Sequence, residues 1–202
     1  MALIATAERL FGAHGIDGVS LLTVVREAGQ GNKNAVQYHF GSKEGLLLAI
    51  LRTRSDMIEI RRGELLVEAG AAGALDDVPT LVRAMFLPVI EQNDAEGRFT
   101  FARFLGQYLN HPHYPSELVP AAAVRQEQVF TSQLKRLLQR QLPFLSDELL
   151  EWRFMMMLRL VVNCLVEHEA AEARVTVLID RSRLVGDVLG MVTAAIAAPP
   201  PG

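Results

Sequence analysis

Apolar side chains recur every three to four residues along most of the chain, which is the spacing of one face of a helix. The first such stripe, near the N-terminus, consists of Leu3, Ala7, Leu10 and Phe11. Patterns typical of strands are scarce, because apolar and polar positions rarely alternate and only 6% of the residues are aromatic. The pattern therefore predicts an all-α protein.

Glycine, proline and capping residues divide this pattern into three short helices followed by six longer ones. The first short helix carries the stripe that begins at Leu3 and is closed by Gly12 and Gly15, and the other two are predicted at 20–28 and 33–39. Ser42 caps a fourth, longer helix that ends in a loop at 69–74. Further helices are predicted at 80–92, with a kink at Pro88, and at 97–109, 116–141, 146–171 and 174–197.

The second and third short helices are joined by a tight turn, Ala28-Gly29-Gln30-Gly31, which is typical of a helix-turn-helix. Asn and Gln can pair with adenine edges, while Lys suits guanine acceptors or phosphate. The helix after the turn is rich in such groups: Asn32, Lys33, Asn34, Gln37, Tyr38 and His39. A solvated polar helix in an unrelated bundle is the alternative interpretation.

Composition and charge are compatible with a DNA-binding protein of the cytoplasm. Residues 1–54 carry six basic and four acidic side chains (+2), and the remaining residues carry 14 and 19 (−5). A local positive charge permits phosphate binding but is too weak here to argue for it alone. The single cysteine, Cys164, excludes an intrachain disulfide. We expect no membrane span, since no uninterrupted apolar run is long enough, and no signal peptide within the first ten residues.

Several linked motifs occur in order within residues 5–51. They are Ala5–Phe11 with Gly15, Val24-Val25-Arg26-Glu27-Ala28-Gly29, Val36-Gln37-Tyr38-His39-Phe40 and Ser42-Lys43-Glu44-Gly45-Leu46-Leu47. Together they resemble the N-terminal domain of TetR-family transcriptional regulators, whose usual pattern is A-x-x-L-F, A-G, L-Y-x-x-F and S-K-E-x-L-L. Leu22 departs from that pattern, since a polar residue is common at its position.

This resemblance implies a helix-turn-helix DNA-binding domain at 1–48, a helical ligand-binding and dimerisation domain at 49–198 and a tail at 199–202. It implies a homodimer formed through the last two helices and an inverted-repeat operator in double-stranded DNA. The implied DNA contacts are Ser20, Thr23, Asn32, Lys33, Asn34, Gln37, Tyr38, His39 and Lys43, although Ser20 can equally be only a helix cap.

The resemblance also implies a small apolar or amphipathic effector inside the C-terminal bundle. Candidate lining residues are Phe86, Phe101, Phe104, Tyr108, Phe130, Trp152, Met155, Met156, Arg159 and Asn163. Aromatic and Met side chains at helical spacing are also typical of a plain core. Arg159 can orient an acidic ligand, or it can pair with a glutamate such as Glu127.

Catalytic and metal-binding motifs are missing from the pattern, so we expect neither an enzyme nor a cofactor or metal. His111, His113 and His168 lack the spacing of metal ligands, and Cys164 fits a small core residue better than a redox sensor. We expect a repressor released from DNA by its effector. The alternatives are a helical small-molecule-binding protein with a vestigial DNA-binding head and an architectural protein with a filled bundle.

Overall fold

The structure, a computed structural model, describes residues 2–30, 35–113, 128–176 and 179–200, and at residues 35–37 it describes the backbone alone. These residues form helices and no strand, which confirms the predicted all-α class. The helices are α1 (Ala2–His14), α2 (Leu21–Glu27), α3 (Ala35–Phe40), α4 (Lys43–Ala71), α5 (Val78–Ile90), α6 (Thr100–Leu109), α7 (Val129–Gln141), α8 (Asp147–Ala173) and α9 (Arg181–Ala197).

The chain divides into two compact units, and α4 runs through both. The first unit is drawn from residues 1–56 and 92–126, and the second from residues 57–91 and 127–202. Helix α6 therefore belongs with α1 to α3 rather than with its neighbours in sequence. The predicted boundary between the DNA-binding domain (1–48) and the ligand-binding domain (49–198) falls inside α4. This division stays a prediction.

Aromatic rings and one close helix contact build the core of the first unit. The ring of Phe11 on α1 lies 6.5 Å from that of Phe104 on α6, which in turn lies 6.2 Å from the ring of Tyr108. At Gly12, an added Cβ would stand 2.9 Å from the backbone N of Phe104, so only glycine permits this approach. Helix α1 ends at His14, directly before Gly15, one of the two glycines that the sequence pattern gives as its close; Gly15 has a left-handed φ of 78°.

In the second unit, α5 packs against α7, α8 and α9. Pro88 lies inside α5 and has no N–H to donate, so the Ala84 carbonyl loses its helical partner. Next to that carbonyl, the buried guanidinium of Arg62 donates to the Met85 carbonyl at 2.8 and 3.2 Å. Burial lowers the pKa of Arg62 to about 10, against the opposing effect of Glu59.

Glu59 of α4 caps the start of α7, which has no side-chain cap of its own. Its carboxylate accepts from the backbone N–H groups of Phe130 at 2.6 Å and of Thr131 at 3.1 Å. The Thr131 hydroxyl donates to the same carboxylate and accepts from Arg62 at 2.7 Å. Here the helix begins at Val129; of the predicted helix 116–141, residues 116–127 lie outside the described part.

Three predicted boundaries are wrong by several residues. Helix α9 begins at Arg181 instead of residue 174, because Arg174 still bonds back to α8 and Val175 takes a left-handed φ of 57°. Asp180 caps the true start, accepting from the Arg183 N–H at 2.9 Å. Helix α4 continues to Ala71, into the predicted loop, and α6 begins at Thr100 instead of residue 97.

Candidate nucleic-acid interface

Helix α2 is closed at both ends by its own sequence. The Ser20 hydroxyl accepts from the Thr23 N–H at 3.1 Å and lies 2.8 Å from the Thr23 hydroxyl. At the other end, the Gln30 N–H bonds to the Val25 carbonyl and the Gly29 N–H to that of Arg26, with Gly29 at a φ of 68°. This is a Schellman ending, in which glycine tolerates the left-handed conformation. At the start of the helix, the bond from the Thr23 N–H makes Ser20 the helix cap.

The helix that follows the turn, α3, presents polar aromatic side chains to solvent. Tyr38 is 83% exposed, and its ring packs edge-on against that of His39, with centroids 5.1 Å apart. His39 is exposed too, so both side chains are free to meet a DNA backbone. The predicted contacts Asn32, Lys33 and Asn34 lie outside the described residues, and the predicted contact at residue 37 is placed only by the backbone of α3.

The start of α4 places Lys43 beside a helix terminus that Ser42 already caps. The hydroxyl of Ser42 accepts from the Gly45 N–H at 3.1 Å, so that helix-terminal donor is already engaged. The pKa of Glu44 is held below its ordinary value, first by its own backbone N–H and then by Ser42. A carboxylate so placed offsets part of the helix dipole. The Lys43 ammonium lies 5.7 Å from the centre of the Phe11 ring, half-buried beside the turn.

Gly45 permits a close backbone approach between the end of α3 and the start of α4. A Cβ added there would lie 1.9 Å from the Phe40 carbonyl oxygen, a backbone atom that cannot swing aside. The turn before it uses Gly41 at a φ of 72°. Two glycines therefore fix how the exposed helix α3 is joined to the long helix α4.

A buried ion pair that the sequence pattern did not reveal joins α1, α4 and α6. The Glu8 carboxylate accepts from Arg54 Nε at 2.7 Å and Nη2 at 2.6 Å, and from the Thr100 hydroxyl at 3.0 Å. Arg54 also donates to the Gln92 side-chain oxygen at 3.2 Å and lies over the Phe101 ring. The sequence offers one sign of this pair, because Glu8 is a charged residue beside the apolar stripe of α1. It does not identify the partner, since Arg54 lies 46 residues away.

The predicted effector residues fall into both compact units. Phe101, Phe104 and Tyr108 are buried within the aromatic core of the first unit. In the second, Phe86 is buried with its ring 6.3 Å from that of Phe154, whereas Trp152 is 59% exposed. The other predicted members of the second unit are half-buried (Met155, Met156 and Arg159) or exposed (Asn163, and Phe130 at 36%).

One described cavity, of about 470 Å³, lies between α7 and α8. Its wall consists mainly of charged side chains, and Lys135 and Glu151 form an ion pair of 2.6 Å there. None of the predicted effector residues lines this cavity, so it adds no support to an apolar effector there.

Among the described residues, no group of three or more His, Cys, Asp and Glu side chains is arranged to hold a metal ion. No described helix is long and apolar enough to span a bilayer. Cys164 is half-buried, and desolvation raises the pKa of its thiol, which lowers the fraction of reactive thiolate.

Comparison with known proteins finds two matching family models. That of bacterial regulatory proteins of the tetR family matches residues 3–50, and that of a tetracyclin repressor-like C-terminal domain matches residues 83–198. A tetR family transcription regulator from a Shewanella species is 17% identical with a TM-score of 0.63, over 96% of this chain and 95% of that one. The TetR family transcriptional regulator PfmR from Thermus thermophilus is 16% identical with a TM-score of 0.51, over 99% and 96%. No curated protein matches the chain.

Proposed function

The chain belongs to the TetR family, and from this premise we propose that it is a repressor released from an inverted-repeat operator by a small apolar or amphipathic effector. That the chain is a DNA-binding transcriptional regulator follows from its family. The observation that carries the operator-binding part of the proposal is the helix-turn-helix itself: α2 is capped at both ends, and α3 exposes Tyr38 and His39. An effector acts by binding the two states of the protein with different affinities.

We place the operator contacts at the residues that the sequence predicts. Tyr38 and His39 are exposed, and Lys43 supplies a positive charge at the start of α4. Phosphate contacts release counterions, so binding should weaken as salt rises. These observations support α3 and the start of α4 as the DNA-facing surface.

In vitro selection from a palindromic DNA library tests the operator. A selected inverted repeat should be bound at least tenfold more weakly by Lys33→Ala and Tyr38→Ala, and Tyr38→Phe separates the phenol hydroxyl from the ring. Val67→Ala is the control, because Val67 is 73% exposed on α4 but belongs to the second unit. Enrichment of no sequence would contradict a repressor and favour a vestigial head.

We propose that a second copy of the chain covers the outer faces of α8 and α9. On α9, Gly186, Gly190 and Ala194 are exposed at four-residue spacing, and a Cβ at either glycine would meet no atom within 4 Å. Nothing described in the single chain therefore requires glycine at these positions. The exposed Trp152 of α8 and Met191 of α9 are large apolar side chains of the kind that dimer interfaces bury.

Gly190→Leu tests the dimer, because the new side chain enters open space in the single chain but fills the proposed interface. We expect sedimentation to show at least a tenfold weaker dimer with an unchanged helical spectrum. Gly70→Leu is the matched control, since Gly70 is also exposed and helical, on α4. A Gly190→Leu protein that dimerises like wild type would refute this interface.

For the effector, we propose contacts from the half-buried Met155, Met156 and Arg159 of α8 and from Phe86 of α5. Met adapts to varied apolar ligands, and a guanidinium pairs with a carboxylate. Calorimetry with acyl and aromatic acids should show binding that Arg159→Ala weakens and that Arg9→Ala, at an exposed arginine of the first unit, leaves unchanged. Equal binding by both variants would remove the proposed role of Arg159.

A further inference from the structure

Large apolar side chains are exposed in the first unit only within the helix-turn-helix, as far as the described residues show. Leu22 on α2 is 57% exposed and Tyr38 on α3 is 83% exposed. The other exposed large apolar residues all belong to the second unit. A single exposed leucine is common on protein surfaces, but its position here coincides with the part of the chain that meets DNA.

The local structure holds Leu22 outwards. Val24 and Val25 of α2 are buried, at 0% and 2% exposure, so the helix is anchored by its other face. The cap formed by Ser20 and Thr23 fixes the first turn, which contains Leu22. In a helix-turn-helix the first helix crosses the DNA backbone beside the groove that the second helix enters. Leu22 is thus held at the end of α2 where the chain enters this helix.

The chemistry of leucine restricts what it can contact there. Its side chain neither donates nor accepts a hydrogen bond, so it cannot pair with phosphate or with the polar base edges. The apolar feature of the major-groove edge is the C5-methyl group of thymine. We propose that Leu22 is a specificity-determining residue that packs on a thymine methyl group in each operator half-site. This inference rests on the proposed operator binding.

Replacing thymine by deoxyuridine tests it, because that change removes only the methyl group. In the selected operator, one such replacement per half-site should weaken wild-type binding about three- to tenfold, the value expected for burying part of a leucine side chain. Leu22→Ala should bind the thymine operator more weakly by a similar factor and be indifferent to the replacement. Leu22→Met, which keeps an apolar side chain, should stay sensitive.

Val67→Ala, a truncation of an exposed apolar side chain in the second unit, should keep the full wild-type sensitivity to deoxyuridine. If the protein binds its operator but Leu22→Ala and wild type respond alike to every replacement, the role of Leu22 is refuted and the proposed function stands. If no operator is bound at all, both are refuted. Thermal unfolding of each variant checks that the fold is intact.

Discussion

Removing Arg54 should destabilise the protein more than removing its partner Glu8. Side-chain exposure is 4% for Glu8 and 15% for Arg54, so the carboxylate is the more deeply buried charge. In Arg54→Ala, the Glu8 carboxylate loses bonds of 2.7 and 2.6 Å and, among the described residues, keeps only the Thr100 hydroxyl at 3.0 Å. Leaving a buried charge without its partner costs about 3–5 kcal/mol.

In Glu8→Ala, the Arg54 guanidinium loses its ion-pair partner but keeps other contacts, so we expect a smaller loss of stability. Arg54 retains its bond to Gln92 at 3.2 Å and the Phe101 ring at 5.5 Å, and it has some access to water. The expected cost is about 2–3 kcal/mol, typical of lost hydrogen bonds to a charged group. The double variant Glu8→Leu with Arg54→Met removes both charges and should recover most of the wild-type stability, since an apolar pair of similar volume replaces a buried ion pair well.

Urea unfolding followed by far-UV circular dichroism measures these differences. It should be repeated at several protein concentrations, because a dimer is stabilised by mass action. A loss of 3–5 kcal/mol is a large fraction of the about 5–15 kcal/mol that stabilises an ordinary domain. If Arg54→Ala costs less than about 1 kcal/mol, or no more than Glu8→Ala, then the reasoning from unequal burial is wrong.

Three further changes test local contacts. Gly45→Ala should lower the free energy of unfolding by about 1–3 kcal/mol and weaken operator binding, because the new Cβ meets a backbone oxygen. Gly70→Ala, the control, should leave stability unchanged or raise it slightly. Urea unfolding and DNA titration of both variants check this. Glu59→Ala should cost about 2–3 kcal/mol by uncapping α7 beside Arg62, with Glu59→Gln less harmful in the same unfolding assay. The pKa of Asp77 is lowered first by a hydrogen bond from the Thr80 hydroxyl and second by one from the Thr80 N–H. The ionised Asp77 therefore stabilises the folded state at neutral pH, and this contribution is lost as pH falls below about 4. Thermal unfolding from pH 7 to 3 should show that Asp77→Asn is less acid-sensitive than wild type.

The order of the helices could be predicted because its signals are local. Apolar spacing, the capping residues Ser20 and Ser146, and the left-handed Gly29 each act within a few residues of the chain. The α9 boundary failed because apolar spacing alone does not distinguish a turn, here the one around Val175, from a helix.

For the candidate site, the sequence by itself determined that a helix-turn-helix with polar groups on its second helix lies at the N-terminus. Only the tertiary structure decided that Glu8 and Arg54 meet, and that Glu59 caps a helix that starts 70 residues further along the chain. It also separated Trp152, on the exposed face of α8, from Phe86 in the core. The physical reason is that such contacts depend on how helices pack, and an apolar residue looks the same in a sequence whether a neighbouring helix or a second chain covers it.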